Sequence, residues 1–286
     1  MKTRILMLGI ILSIMTIGCS KKEGADSTTI SPDEALINAK IDVANEEVSK
    51  IVEEQFDATY ADAAMGRGGE QRPPNTCPTI TRVPAFGQAP TVGQTVSKII
   101  DFGASCIRNG NILGGKINIS FVYDPSATTH TITYIFDDFK HNNKTFVGQR
   151  TITKTMAASA ANSTVHPIVV MNMNMTMSLP DGRTFTRFGT RTRELISGSI
   201  ANANAVYQVV GNWTTTFPNN SIQTSTITTP IIVKQACTPV NSPLSSGIIT
   251  FVRNNNTATL NYGDGTCDKL AVFTYNGIAH NITLGN

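Results

Sequence analysis

Four arginines, Arg183, Arg187, Arg191 and Arg193, fall on alternate positions of one segment, so an extended chain would carry them on a single face, interrupted only by Phe185 and Gly189. A row of guanidinium groups binds phosphate, sulfate or uronate oxygens through charge-assisted forks. Two blander readings compete with such a polyanion or polysaccharide site. The stripe is either a solvated outer face or the surface that receives an acidic helix nearer the N-terminus. One segment earlier, Met171, Met173, Met175 and Met177 share a face, with Asn172, Asn174 and Thr176 on the other. Thioethers in a ladder suit Cu(I). With no His or Cys close in sequence, the expectation is a core-facing strand lined by adaptable side chains.

The acids are sparser. Asp264 and Asp268 flank Gly265-Thr266-Cys267, a spacing within reach of Ca²⁺, but the alternating oxygen ligands and closing Glu of a calcium loop are missing. A tight glycine turn is the expectation there. Asp137 and Asp138 lie between His130 and His141 and read as a polar hairpin end. No Gly-x-Ser-x-Gly elbow, His-Glu-x-x-His, P-loop or dinucleotide fingerprint is present, and four His and one Trp offer little to catalysis or sugar stacking. The sequence therefore predicts a protein that is not an enzyme and has no cofactor and no metal. The alternative is a glycan-processing hydrolase whose carboxylates, drawn from Asp137, Asp138, Asp264 and Asp268, meet only in three dimensions.

The cysteines speak to address and architecture. Residues 1–18 have the basic start and apolar run of a signal peptide, too short to span a bilayer as a helix. Thr16-Ile17-Gly18-Cys19 resembles the lipobox of bacterial lipoproteins, which implies cleavage before Cys19 and lipidation of Cys19. Thr16 departs from the more usual Leu. The four remaining cysteines are an even number in a compartment where disulfides persist. Cys77 and Cys106 are 29 positions apart, Cys237 and Cys267 30, and these matched spacings favour pairing within each couple. Crossed bridges and a structural zinc site are the alternatives, the latter without its usual short ligand spacing. Around them lies a repeat: Ile100-Asp-Phe-Gly-Ala-Ser-Cys106 is a faint copy of Leu260-Asn-Tyr-Gly-Asp-Gly-Thr-Cys267.

These groups must be positioned by a helix and a sheet. Residues 19–30 are small and polar and read as a flexible tether. Ser31-Pro32-Asp33-Glu34 is a capping box with Pro at the first helical position, and Ile37, Ile41, Ala44, Val48 and Ile51 recur at helical spacing, so 31–66 is an acidic amphipathic helix. Its acidic side, including Asp42, Glu46, Glu47, Glu53, Glu54 and Asp57, is expected to face water, with pairing to a second copy as a coiled coil as the sharper alternative. Two Lys stand against nine Asp and Glu in 31–66, and 17 Lys and Arg against nine acids in 67–286. Residues 67–76 are a Gly- and Pro-rich linker.

From Cys77 the period becomes two. Strands are expected near 117–123, 131–136, 145–156, 166–179, 183–197, 205–217, 221–234, 247–253, 257–263, 269–275 and 278–284, joined by turns such as Pro180-Asp181-Gly182 and Asn276-Gly277. Connections this short join antiparallel neighbours. The fold class is thus all-β: a tall, curved antiparallel meander, open-barrel or sandwich-like, preceded by one long helix. The domain 77–286 carries two Cys-containing units, 77–123 and 237–284.

Taken in succession, the lipobox, the acidic helix, Cys77-Pro-Thr-Ile-Thr, Ile100-Asp-Phe-Gly with Cys106 and Gly115-Lys-Ile, Arg191-Thr-Arg-Glu194 and Tyr262-Gly-Asp-Gly-Thr-Cys-Asp resemble a family of uncharacterised envelope lipoproteins from flavobacteria-type Bacteroidota. The resemblance covers nearly all of the chain after Cys19 and brings no activity or site residues. It implies an outer-membrane lipoprotein on the periplasmic face or cell surface, held to the membrane by its N-terminal lipid, with an envelope protein or glycan as partner. Nucleic acid is not expected as a partner in that compartment.

Overall fold

The structure is a computed structural model that describes residues 29–66, 68–69, 76–199, 204–238 and 240–284. The signal peptide, Cys19, most of the tether and part of the linker lie outside the described residues.

Among the described residues one α-helix, α1 (Pro32–Ala64), precedes fourteen strands: β1 (Thr79–Val83), β2 (Thr95–Asp101), β3 (Cys106–Arg108), β4 (Asn111–Val122), β5 (Thr129–His141), β6 (Lys144–Ala157) and β7 (His166–Ser178), then β8 (Thr184–Ser197), β9 (Val206–Thr216), β10 (Ile222–Lys234), β11 (Leu244–Arg253), β12 (Asn256–Asp264), β13 (Leu270–Tyr275) and β14 (Ile278–Thr283). Every pairing is antiparallel, and neighbours follow chain order except that β2 pairs β4 and β3 adds to β4 alone. The sheet is therefore an open meander, not a closed barrel.

The helix starts where the capping box places it. Ser31 Oγ accepts from the Glu34 amide, and Glu34 Oε2 accepts from the Ser31 amide at 3.1 Å. Its surroundings differ from the expectation. Seventeen of its 33 residues are buried, and Ala44 to Ser49 are buried without a break. Six consecutive residues exceed one turn of 3.6, so the sheet covers both the apolar and the acidic sides. The expected solvated acidic face is corrected accordingly: Asp42 is fully buried, and Glu46, Glu47 and Glu53 are nearly so. Between Ala35 and Phe56 only a narrow strip through Leu36, Lys40, Val43, Lys50, Glu54 and Gln55 is half-exposed, and the helix is more open at its two ends. That strip also leaves the coiled-coil alternative no apolar seam to use.

The inner face of the sheet alternates with a polar outer one. One outward rung runs across consecutive strands as Thr133, Thr151, Asn172, Thr190, Asn212, Thr226, Thr250 and Thr259. Inward, Met171, Met173, Met175 and Met177 are all buried, as a core-facing strand requires. Phe56 of the helix packs edge-on against Phe121 at 4.9 Å. Both disulfides form within their units, Cys77–Cys106 with Cα atoms 5.6 Å apart and Cys237–Cys267 at 5.2 Å. Because strand order follows chain order, one unit stands at each edge of the sheet.

Candidate functional site

The arginine stripe faces inward. Arg187, Arg191 and Arg193 are 1%, 3% and 6% exposed. Asp42 Oδ1 accepts from Arg187 Nη1 at 2.7 Å and also from Arg191, while Tyr262 Oη donates to Oδ2 at 3.0 Å. Arg193 pairs with Glu53, and its Nη1 lies 3.7 Å from Glu46 Oε2. These three guanidiniums are occupied by the helix, which corrects the expectation of an external anion site; of the readings weighed, the one that seats the acidic helix on the stripe fits. Arg183 alone is exposed, bridging Asp181 at 2.8 Å and Asp33 at 2.9 Å.

The gap that Gly189 leaves in the stripe has a purpose. Trp213 is its cross-strand partner, and a Cβ on Gly189, whose φ is +158°, would lie 2.4 Å from the Trp213 Cα. The indole therefore lies in the gap between two guanidiniums, Arg191 at 4.0 Å and Arg187 at 5.0 Å from its centroid. Burial still lowers the Arg187 pKa to about 10, against the pull of Asp42.

Sequence reasoning missed the rest of this inner basic set. Arg150 Nη2 donates to Asn45 Oδ1 at 2.5 Å, Arg253 Nη1 donates to Glu34 Oε1 at 3.1 Å, and Lys154 pairs with Asp57. Each is a lone base among polar residues in sequence. The available signal was parity: each occupies an inward position of its strand.

The expected acidic sites do not converge. Asp137 and Asp138 are exposed where β5 bulges, and Asp138 has φ +46°. Opposite them Gly115, at φ +71°, admits the Asp138 carbonyl, which would lie 2.1 Å from any Cβ. Neither flanking histidine joins them. His130 Nδ1 meets Tyr60 Oη at 3.1 Å, and His141 Nε2 meets Glu47 Oε2 at 2.8 Å. Asp264 accepts from the Thr266 amide and hydroxyl, and Asp268 from the Leu270 amide, so both close turns. Among the described residues no three His, Cys, Asp or Glu are grouped as metal ligands.

One cleft lies between the two disulfide units. The helix contributes the half-exposed Val43 and Lys50 and the buried Glu46 and Glu47. One wall is Asn109 and Asn111 from the β3–β4 hairpin; the other comes from Gln235 to Pro243, with Lys269 and Leu284. Its volume is about 70 Å³. The helix is tied to both walls. Glu47 Oε2 accepts from Asn111 Nδ2 at 2.8 Å, and Lys50 Nζ donates to Gln235 Oε1 at 2.9 Å.

Glu46 differs from its neighbours. It is 5% exposed, and its Oε2 has no hydrogen-bond donor among the described residues, with Arg193 Nη1 3.7 Å away. Burial raises its pKa above the ordinary 4.5, a shift that the nearby Arg193 and Arg191 charges oppose. A small, partly enclosed cavity with converging amides, lysines and an unsatisfied carboxyl suits ligand binding.

No family model, curated protein or solved structure matched the chain.

Proposed function

We propose that the protein is a lipid-anchored cell-envelope protein with a non-enzymatic binding role, and that the cleft at the seam of the sheet is where it binds. The observation that carries this is convergence: the helix and both disulfide-pinned edge units each contribute side chains to one cavity. Two intramolecular disulfides suit an oxidising compartment. The lipobox-like Thr16-Ile17-Gly18-Cys19 and the resemblance to envelope lipoproteins supply the tether. The four aspartates from which a hydrolase was conceivable close turns or sit exposed at a bulge, which favours binding over catalysis.

Labelled palmitate should enter the wild-type chain, and Cys19→Ala should release it from the membrane fraction. Failure of labelling, or a Cys19→Ala protein that stays membrane-bound, removes the anchor. Cross-linking on intact cells, with and without surface protease, reports the partner and the side of the membrane together.

A further inference from the structure

We infer that the seam cleft binds a small zwitterion with a free ammonium group, the size of an α-amino acid, its nitrogen donating to Glu46 and its carboxylate lying toward Lys269. This rests on the cleft being the binding site. Three observations carry it. The first is the state of Glu46: the side chain is nine-tenths buried, its Oε2 has no hydrogen-bond donor among the described residues, and the Arg193 charge 3.7 Å away offsets only part of the desolvation cost. An ammonium group brings three donors and a compensating charge.

The second is the disposition of the other charges. Glu47 is already engaged by Asn111 and His141, whereas Lys50 donates to the neutral Gln235 amide and has no carboxylate within 4.0 Å among the described residues. Lys269, at the exposed rim, has no carboxylate within 4.0 Å among the described residues. Among the described residues the cleft thus offers one carboxylate short of a hydrogen-bond donor and two lysines without a carboxylate partner, Lys50 within and Lys269 at the rim.

The third is size. At roughly 10–15 Å³ of cavity volume per water, about 70 Å³ holds about five to seven waters, the bulk of a small amino acid and too little for a sugar chain. Polymer ends and free amino acids share this chemistry; a dipeptide against its amidated form separates them from larger peptides.

The test is titration of the full chain, followed through the methyl resonances of Val43 and Leu284. The probes are L-alanine, L-alanine amide, N-acetyl-L-alanine and glycine betaine, which has both charges but no N–H. L-alanine should bind saturably. The amide, lacking the carboxylate, and the other two, lacking the ammonium donor, should each bind about tenfold more weakly or worse. Glu46→Gln and Lys269→Ala should each weaken L-alanine by a similar factor, with thermal melts confirming that both variants fold. Glycine betaine or the N-acetyl form binding as well as L-alanine overturns the assignment, as does a folded Glu46→Gln with unchanged affinity. If the amino-acid probes are silent and a neutral monosaccharide shifts the same methyls, the ligand class falls but the binding role stands; if nothing shifts them, both fall.

Discussion

Replacing Asp42 by Asn tests how the helix is held. The substitution keeps the shape and removes the one charge shared by Arg187 and Arg191, neither of which is more than 4% exposed at the side chain. Removing one partner of a buried ion pair costs about 3–5 kcal/mol, because the remaining charge is left desolvated. In a protein of this size about 1 kcal/mol lowers Tm by roughly 2–4 °C. Asp42→Asn should therefore melt about 12 °C below wild type, within a range of about 6–20 °C. The assay is far-UV circular dichroism at low salt and at about 1 M salt, where the Debye length is about 3 Å and exposed pairs are screened. The deficit should survive high salt. Glu54→Gln is the control: its pair with Arg108 is 39% and 22% exposed, so its loss should cost at most about 1 kcal/mol. Combining Asp42→Leu with Arg187→Met and Arg191→Met should recover most of the stability, since a buried charge cluster replaced whole by apolar groups is near neutral. An Asp42→Asn protein that melts within about 2 °C of wild type, or a deficit that disappears in salt, would refute a helix seated inside the sheet.

Gly189→Ala should cost about 3 kcal/mol, since its Cβ meets the Trp213 backbone, and should red-shift the emission of the chain's one tryptophan; unchanged fluorescence contradicts the packing. Burial lowers the pKa of Lys98 to about 8 from 10.5, so above pH 8 the unfolded chain holds that proton more tightly than the folded one, and stability should rise with pH towards the tyrosine range. Lys98→Met should be more stable at neutral pH and flatten that rise in urea melts; an unchanged slope refutes the desolvated lysine. Each disulfide closes about 30 residues, so Cys77→Ser with Cys106→Ser, or Cys237→Ser with Cys267→Ser, should lose about 3–4 kcal/mol in denaturant titrations. A pair of variants as stable as wild type would show that its bridge does not constrain the unfolded chain.

Period-two alternation located most of the long strands because they bury one face only: β6 and β8 begin and end within a residue or two of their expected limits, whereas β5, expected over 131–136, runs past a bulge to His141. The first three strands escaped notice. They are short, with Pro, Gly and Cys between them, and they find their place by pairing with β4 rather than by their own pattern. Asn276-Gly277, with φ +50° and +76°, made its hairpin as its chemistry dictates. The acidic helix misled because a charged face normally faces water. Its partners lie 54 to 220 residues away in sequence, and no local window contains both halves of such a pair. The cleft was invisible for the same reason: Glu46, Asn111 and Lys269 become neighbours only once the sheet has curled.

The buried pairs have a consequence for how the chain acquires its structure. Asp42 meets Tyr262 across 220 positions and Arg187 across 145, and Arg253 reaches back 219 to Glu34. Contacts so distant in sequence make folding slow, because loop closure must precede their reward. During synthesis from the N-terminus the helix segment emerges first, yet its counter-charges on β8 and β11 appear only much later. Until then its carboxylates keep it hydrated and unlikely to self-associate, so the charges that later fix it in the core also protect it while it waits.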